Sequence, residues 1–535
     1  SLAQVWLRAP LHRANRLLTA MITKALLRRL TPTRRKWCGK ASVLAVTYLA
    51  YAVATAARLP YSIAKTSLRP DTPSASTPGW SPFTGSSGQV LLGSLDTAFM
   101  AAYAASMPIM GAIADRVNQP VFLSFALLMI GVFLFLVGMA HTWNIHAYAY
   151  WISLTFLGGC AQSIAYPCVI AVISKWCGKS NIGLILGIWS SCTPIGTIVG
   201  KLGATAALAG GWQYAFMSMG VASMIAAVII LLCLVSDPYD VELLRPGEAR
   251  RLAEAQQHHM ASMQSPIATS LLNVQEMASA RAAESANEEP VPLAKILRVP
   301  GMVTYCVACF FAKLAYYAFV FWLPFYLDHA LHYDKTKAGY FSTFFDWGGF
   351  TGGIVGGILI DRLKLRGVVL LAFQSLAAPM LFLYMELGLR GVLTDILNVI
   401  ILFLLGFTVT TPYSLITSVM STDLGRHPHL NGNSKAAATV TALLDGIGSL
   451  GAVVQGLVIG WISDRFGWSA TFLMLMCFAL FSALCLIGPS VKELRARAAA
   501  RMGSAAQATS PMVLPDSAPC ERPGVTNSMA ANGKV

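Results

Sequence analysis

Four basic residues lie inside stretches of the chain that are otherwise strongly apolar, and their side chains are suited to binding an anion. They are Arg58, Lys65, Lys201 and Lys313. A charged side chain at the centre of a membrane-spanning helix costs about 2.5–3.5 kcal/mol on insertion scales, so each should face a partner or a watery cavity. Arginine binds phosphate as a bidentate fork, and lysine acts as a compact point charge. We therefore expect Arg58 and Lys313 to hold a dianionic group such as phosphate, with Lys65 as a further candidate.

Three acidic residues occur at similar depth in the apolar stretches: Asp96, Asp346 and Asp445. They leave an alternative open, in which the basic residues form structural ion pairs with these carboxylates. For Asp96 and Asp445, charge balance is favoured over a role as proton carrier. Lys201 has a further alternative, because a long basic side chain can extend along its helix toward the membrane surface.

The composition requires that these residues be positioned by helices in a lipid bilayer. Hydrophobic residues make up 56% of the 535 residues and charged residues 12%, whereas globular proteins carry about 25% charged residues. Apolar stretches of roughly 20 residues, the length of a membrane-spanning helix, recur along the chain. The sequence predicts an all-α membrane protein with twelve spans, at about 42–66, 90–113, 120–140, 148–173, 184–209, 213–235, 301–328, 337–360, 368–388, 396–417, 436–461 and 469–489.

A short motif occurs twice and indicates two similar halves. Gly111-Ala-Ile-Ala-Asp115-Arg116 follows one apolar stretch, and Gly357-Ile-Leu-Ile-Asp361-Arg362 follows another. Such a repeat is typical of transporters built from two pseudo-symmetric bundles, here of six helices each. The Asp-Arg pairs are predicted to form ion pairs and caps that latch the bundles in one conformational state. The two glycines are expected to permit close helix approach.

The charge distribution orients the predicted spans. Residues 1–40 contain ten Lys and Arg and no Asp or Glu, which places both termini in the cytosol under the positive-inside rule. The predicted organisation is a basic N-terminal cytosolic segment (1–41), a first bundle (42–235), a cytosolic linker (236–300), a second bundle (301–489) and a disordered cytosolic tail (490–535). An endoplasmic reticulum membrane is favoured, and plastid, mitochondrial and plasma membranes stay open.

Several functional classes are disfavoured. The net charge of +15 is explained by topology and by attraction to the membrane surface rather than by nucleic-acid binding. The sequence has no GxxxxGK[ST] nucleotide-binding loop, no His-Glu-x-x-His motif and no convincing nucleophile–base pair. We therefore expect neither an enzyme nor a cofactor or metal site, and we expect transport to be driven by gradients.

Several motifs give the chain a more specific resemblance. The repeated Gly-x-x-x-Asp-Arg motif resembles the hallmark of the major facilitator superfamily. The first span and further stretches resemble the organophosphate:phosphate antiporters, in particular the eukaryotic sugar-phosphate exchangers. These stretches are Tyr48-Leu-Ala-Tyr51, Pro60-Tyr-Ser62-Ile-Ala-Lys65, Trp143-Asn-Ile-His146, Ala312-Lys313-Leu, Phe321-Trp322-Leu-Pro324, Phe345-Asp346-Trp-Gly-Gly349 and Thr439-Val-Thr-Ala-Leu-Leu-Asp445-Gly446.

The resemblance implies a major facilitator fold and a set of binding residues. Arg58 matches the family's phosphate-contacting arginine of span 1. Tyr316 stands where bacterial relatives carry a basic residue on span 7, and Lys313 lies one turn earlier, as in the eukaryotic branch. Cys192 stands where many members carry a histidine, and Leu59 replaces a basic residue that usually follows the arginine.

The resemblance also implies an activity. It is the exchange of a phosphorylated sugar or glycerol-3-phosphate, such as glucose-6-phosphate, for inorganic phosphate by alternating access. The implied partners are these small solutes and the lipid bilayer, and the protein is expected to be a monomer. The alternative is a proton-coupled symporter of a non-phosphorylated small solute.

Overall fold

The fold is all-helical in the part of the chain that the structure, a computed structural model, describes: residues 32–70, 78–114, 117–177, 189, 191–241, 293–425 and 434–509. The helices before residue 242 are α1 (Pro32–Ala56), α2 (Leu59–Leu68), α3 (Gly88–Ala114), α4 (Gln119–Thr142), α5 (Tyr148–Gln162), α6 (Ala165–Trp176), α7 (Cys192–Leu208) and α8 (Trp212–Cys233), followed by a 3₁₀ turn (Pro238–Val241). After the linker come α9 (Leu293–Leu297), α10 (Met302–His329), α11 (Lys335–Leu363), α12 (Arg366–Leu389), α13 (Asp395–Leu415), a π-helical turn (Ile416–Met420), α14 (Ser421–Gly425) and α15 (Ser434–Thr509).

Ten helical segments of the described residues are long and apolar enough to cross a membrane. Nine of them coincide with predicted spans 1–4 and 6–10, because each apolar run can satisfy its backbone hydrogen bonds only within a helix. Predicted spans 11 and 12 both lie in α15, whose backbone breaks at Gly467 with φ 79°. Predicted span 5 contains α7, which is 17 residues long. The count of twelve therefore stays a prediction.

Two of the spans are broken in the middle, and both breaks precede a proline. Span 1 breaks between α1 and α2, and Pro60 follows at the start of α2. Span 4 breaks between α5 and α6, where Pro167 lies in the first turn of α6. Proline has no backbone N–H and its ring clashes with the preceding turn, so a continuous helix is disfavoured at both places. These breaks position Arg58 and Gln162, which lie at them.

The helices form two groups, α1–α8 and α9–α15, that are joined at one end. Helix α3 packs on α15, α7 on α11, and α2 on α10. The backbones approach so closely that a Cβ atom on Gly93 would lie 2.1 Å from the carbonyl oxygen of Gly456. At the rim, Arg69 forms an ion pair with Asp464 (Nη1–Oδ1 2.9 Å). We call this the closed end.

The opposite end, here called the open end, carries the repeated glycines. Among the described residues, the extensive helix contacts at this end are made within each group; α6, for example, packs on α1, α3 and α4. Within the part of the chain that the structure describes, a Cβ atom on Gly357 would meet no atom within 4 Å, and one on Gly111 would make only ordinary contacts with Pro167. Close helix approach at these two glycines is therefore not found among the described residues in this conformation, and the expectation stays a prediction. Because the extensive contacts between the groups lie at the closed end in the described part of the chain, we infer a cleft between the groups that leads to this end.

Candidate substrate-binding site

Arg58 lies at the break in span 1, at the inner end of the cleft, and its side chain is 7% exposed. Its Nε donates a hydrogen bond to Oε1 of Gln162 (2.8 Å), and its Nη1 lies 3.5 Å from the hydroxyl of Tyr317 on α10. The guanidinium carbon lies 4.8 Å from the centroid of the Tyr103 ring, a cation–π distance. Arg58 therefore touches residues of both helix groups.

The three buried lysines each pair with one of the three aspartates. The pairs are Lys65–Asp96 (Nζ–Oδ2 2.5 Å), Lys201–Asp346 (Nζ–Oδ2 2.6 Å) and Lys313–Asp445 (Nζ–Oδ1 2.8 Å). The sequence left structural ion pairs as an alternative for the basic residues, and the structure shows such pairs for the three lysines. Within the described ranges, Arg58 is the member of the four that has no carboxylate partner.

Two of these pairs belong to the closed end. Lys65 also donates to the carbonyl oxygen of Phe321 (3.2 Å), and its Nζ lies 3.9 Å from the ring centroid of Trp322. Lys201 on α7 pairs with Asp346 on α11, so this ion pair connects the two helix groups directly. The side chains of both pairs are at most 2% exposed. The structure therefore places Lys65 and Lys201 in the joint between the groups rather than on the wall of the cleft.

The third pair lies on the cleft wall opposite Arg58. Lys313 donates to Asp445 and to Ser449 Oγ (3.0 Å), and the lysine side chain is 6% exposed, whereas that of Asp445 is 38% exposed. Tyr317, whose hydroxyl lies 3.5 Å from Arg58 Nη1, is one helical turn from Lys313 on the same face of α10. The predicted cations Arg58 and Lys313 therefore face the same space, and an aspartate already partly neutralises one of them.

The remaining candidate binding positions, Tyr316 and Cys192, are also placed by the structure. Tyr316 is buried on α10, and its ring centroid lies 4.5 Å from that of Tyr413. Cys192 is fully buried at the start of α7, next to Ser191, whose hydroxyl is 3.1 Å from that of Tyr48. A buried thiol contributes no positive charge, so Arg58 and Lys313 are the candidate basic side chains that the described residues bring to the cleft.

The described residues of the repeated motif lie at the open end, away from the cations. Asp361 and Arg362 are exposed at the end of α11, while Asp115 and Arg116 lie outside the described residues. Nearby, Glu493 accepts hydrogen bonds from the backbone N–H groups of Arg366 (2.7 Å) and Gly367 (2.8 Å) at the start of α12. The latching role of the motif stays a prediction.

Sequence reasoning did not identify Gln162, Tyr103 or Tyr317 as parts of the site. Gln162 carried a usable signal, because a glutamine in the middle of an apolar span is costly unless its amide is satisfied. The tyrosines carried none, since the chain contains 17 of them and aromatic residues are common in membrane helices. Only helix packing selects which tyrosines face the cleft.

Comparison with known proteins agrees with this architecture. A family model described as the Major Facilitator Superfamily matches residues 41–433. The chain belongs to the major facilitator superfamily. Solved structures of the same fold include a D-xylose-proton symporter (TM-score 0.57, 12% identity, 83% of this chain and 97% of that one). Another is a bacterial homologue of the human lysosomal transporter Spinster, inward-facing and unoccupied (TM-score 0.59, 12% identity, 85% and 98%). The predicted major facilitator fold is confirmed.

Proteins similar to this chain over most of its length are named as transporters. A provisionally named glycerol-3-phosphate transporter 5 of Arabidopsis thaliana is 35% identical over 84% of this chain and 91% of its own length. The glucose-6-phosphate exchanger SLC37A2 of Bos taurus is 34% identical over 85% of this chain and 95% of its own. The prediction that the chain is a multi-pass membrane transporter rather than an enzyme is confirmed at this level.

Proposed function

We propose that this protein exchanges a phosphorylated sugar or glycerol-3-phosphate for inorganic phosphate by alternating access. The observation that carries the proposal is the buried Arg58 guanidinium, which faces the cleft between the helix groups without a carboxylate partner among the described residues. The names of the relatives, a glycerol-3-phosphate transporter and a glucose-6-phosphate exchanger, support the same class of substrate.

The physical argument concerns an uncompensated charge. An unpaired buried cation is costly, so an anion that enters the cleft gains a strong, poorly screened interaction with Arg58. A phosphoryl group presents oxygens that match the guanidinium fork, and a second cation, Lys313, lies one helical turn from Tyr317, which contacts Arg58. Inorganic phosphate and a phosphate monoester share this group, which supports competition of both solutes for one site.

The proposed conformational cycle is based on the two helix groups being joined at the closed end and separated at the open end. We propose that residues 42–235 and 301–489 act as two rocking halves, that both termini face the cytosol, and that the protein works as a monomer. In this orientation the cleft opens to the cytosol. The pairing of Asp96, Asp346 and Asp445 with lysines supports charge balance for these carboxylates over proton coupling.

The test is counterflow in liposomes that contain the purified full chain. With internal phosphate, we expect saturable uptake of labelled phosphate that external glycerol-3-phosphate or glucose-6-phosphate inhibits and an uncoupler leaves unchanged. Arg58→Ala should abolish uptake at normal insertion, while Arg390→Ala, which removes an exposed arginine at the closed-end surface, should transport normally. Normal exchange by Arg58→Ala would refute the site, and uncoupler-sensitive uptake without internal phosphate would favour the proton-coupled alternative.

A further inference from the structure

Gln162 bridges the two broken spans. Its side chain is 2% exposed, its Oε1 accepts the hydrogen bond from Arg58 Nε (2.8 Å), and its Nε2 donates to the carbonyl oxygen of Ala54. We infer that Gln162 is a positioning residue that fixes the rotation of the Arg58 guanidinium so that its two Nη groups face the cleft. The inference rests on the proposed function, because it concerns how the same site presents its charge.

The break in span 1 creates the acceptor that Gln162 uses. In an unbroken helix the carbonyl of Ala54 would accept a hydrogen bond from the N–H of Arg58. Here that N–H donates instead to Thr55 O (3.2 Å), so the Ala54 carbonyl needs another donor. The amide of Gln162 supplies it. The Gln162 side chain therefore donates a hydrogen bond to the free carbonyl group at the break and also accepts one from the Arg58 side chain beside it.

The geometry of the guanidinium explains why this matters for an anion. Arginine carries five N–H donors in a planar fork, one on Nε and four on the two Nη atoms. Gln162 occupies the Nε donor, and the Tyr103 ring lies beside the guanidinium, 4.8 Å from its central carbon. Of the two Nη atoms, Nη1 points toward the other helix group, 3.5 Å from the hydroxyl of Tyr317. Without Gln162, the Arg58 side chain could rotate about the bonds next to its guanidinium. Phosphate binding would then have to order the side chain, and the loss of conformational entropy would weaken binding.

The experiment measures KM and Vmax of phosphate exchange in proteoliposomes for Gln162→Leu, Arg58→Lys and the double variant. A hydrogen bond to a charged group is among the stronger ones, so we expect Gln162→Leu to raise KM for phosphate about tenfold with little change in Vmax. Lysine has no Nε. In the Arg58→Lys background the same substitution should therefore raise KM less than about twofold further.

Two more variants keep the test decisive. Gln162→Glu is nearly isosteric and should fold, but its carboxylate would pair with Arg58 and compete with phosphate, so its KM should exceed that of Gln162→Leu. Gln374→Leu is a matched control, because Gln374 is also a buried membrane glutamine, with its amide 3.4 Å from Ala479 O away from the cleft. Its KM should equal that of the wild type.

The outcomes separate this inference from the proposed function. If Gln162→Leu raises KM equally in the wild-type and Arg58→Lys backgrounds, or leaves KM unchanged, or if Gln162→Glu binds phosphate normally, the positioning role is overturned. If the wild-type protein shows no phosphate exchange, the proposed function itself fails. In the first set of outcomes the wild-type protein still exchanges phosphate and still requires Arg58. Failure of the positioning role can therefore be told apart from failure of the proposed function.

Discussion

The ion pair between Lys201 and Asp346 provides the sharpest test of how the two helix groups are held together. The two side chains come from different groups and are 0% and 2% exposed. Lys201 also donates to the carbonyl oxygen of Ser342 at 3.3 Å. In the proposed transport cycle the closed end opens to the other side of the membrane, which requires these two charges to separate and become hydrated.

The expected size of the effect follows from this burial. Removing one partner of a buried ion pair costs about 3–5 kcal/mol, because the other charge stays desolvated and unpaired. In Asp346→Asn, Lys201 keeps its contact with Ser342, so the lower value of about 3 kcal/mol applies. This cost destabilises the conformation in which the closed end is shut. It is relieved in the conformation in which that end is open and water reaches Lys201. The conformational equilibrium should therefore shift about 100-fold toward opening of this end.

Distance measurements between spin labels would detect the shift. One label is placed at Ala209, exposed after α7, and the other at Lys335, at the start of α11, with the protein in lipid nanodiscs. Asp346→Asn should populate a longer distance than the wild type does. The matched control is Asp395→Asn, which breaks an exposed ion pair with Lys337 inside one group and is expected to change nothing.

A charge-swapped variant, Lys201→Asp with Asp346→Lys, should return the distance toward the wild-type value, because it restores opposite charges at the same two positions. An unchanged distance in Asp346→Asn would refute the reasoning that this pair stabilises the closed end. So would a charge-swapped variant that behaves like the single one.

Three further predictions follow from other contacts. Gly93→Leu should block exchange in the liposome assay, since its side chain would collide with a backbone carbonyl of the opposite group, whereas Gly488→Leu has open space and should retain exchange. Glu493→Gln should lower the free energy of unfolding by about 0.5–2 kcal/mol without changing KM, because the charge that caps a helix N-terminus is lost. Lys313→Ala should raise KM for phosphate by leaving Asp445 unpaired beside the anion, and adding Asp445→Asn should recover part of the affinity.

The sequence by itself determined the class of protein and where its charges would be costly. The apolar content and the recurring spans of about 20 residues indicate helices in a bilayer. A helix of that length satisfies its own backbone N–H and C=O groups where no water is available. Arg58, Lys65, Lys201 and Lys313 could be singled out because the cost of a charge in a membrane depends on residue type and depth, both of which follow from local sequence. The repeated motif added the pseudo-symmetric architecture that the family match supports.

Only the tertiary structure decided what each charge does. Lys313 and its partner Asp445 are 132 residues apart in the chain, and Arg58 and Gln162 are 104 apart, so their contacts depend on which helices pack together. Local patterns contain no information on that packing, and all four cations looked equally unpaired in the sequence. The arrangement of helices neutralises three of them with aspartates and leaves Arg58 on the cleft, because its own span breaks there and its neighbour across the break is an uncharged glutamine.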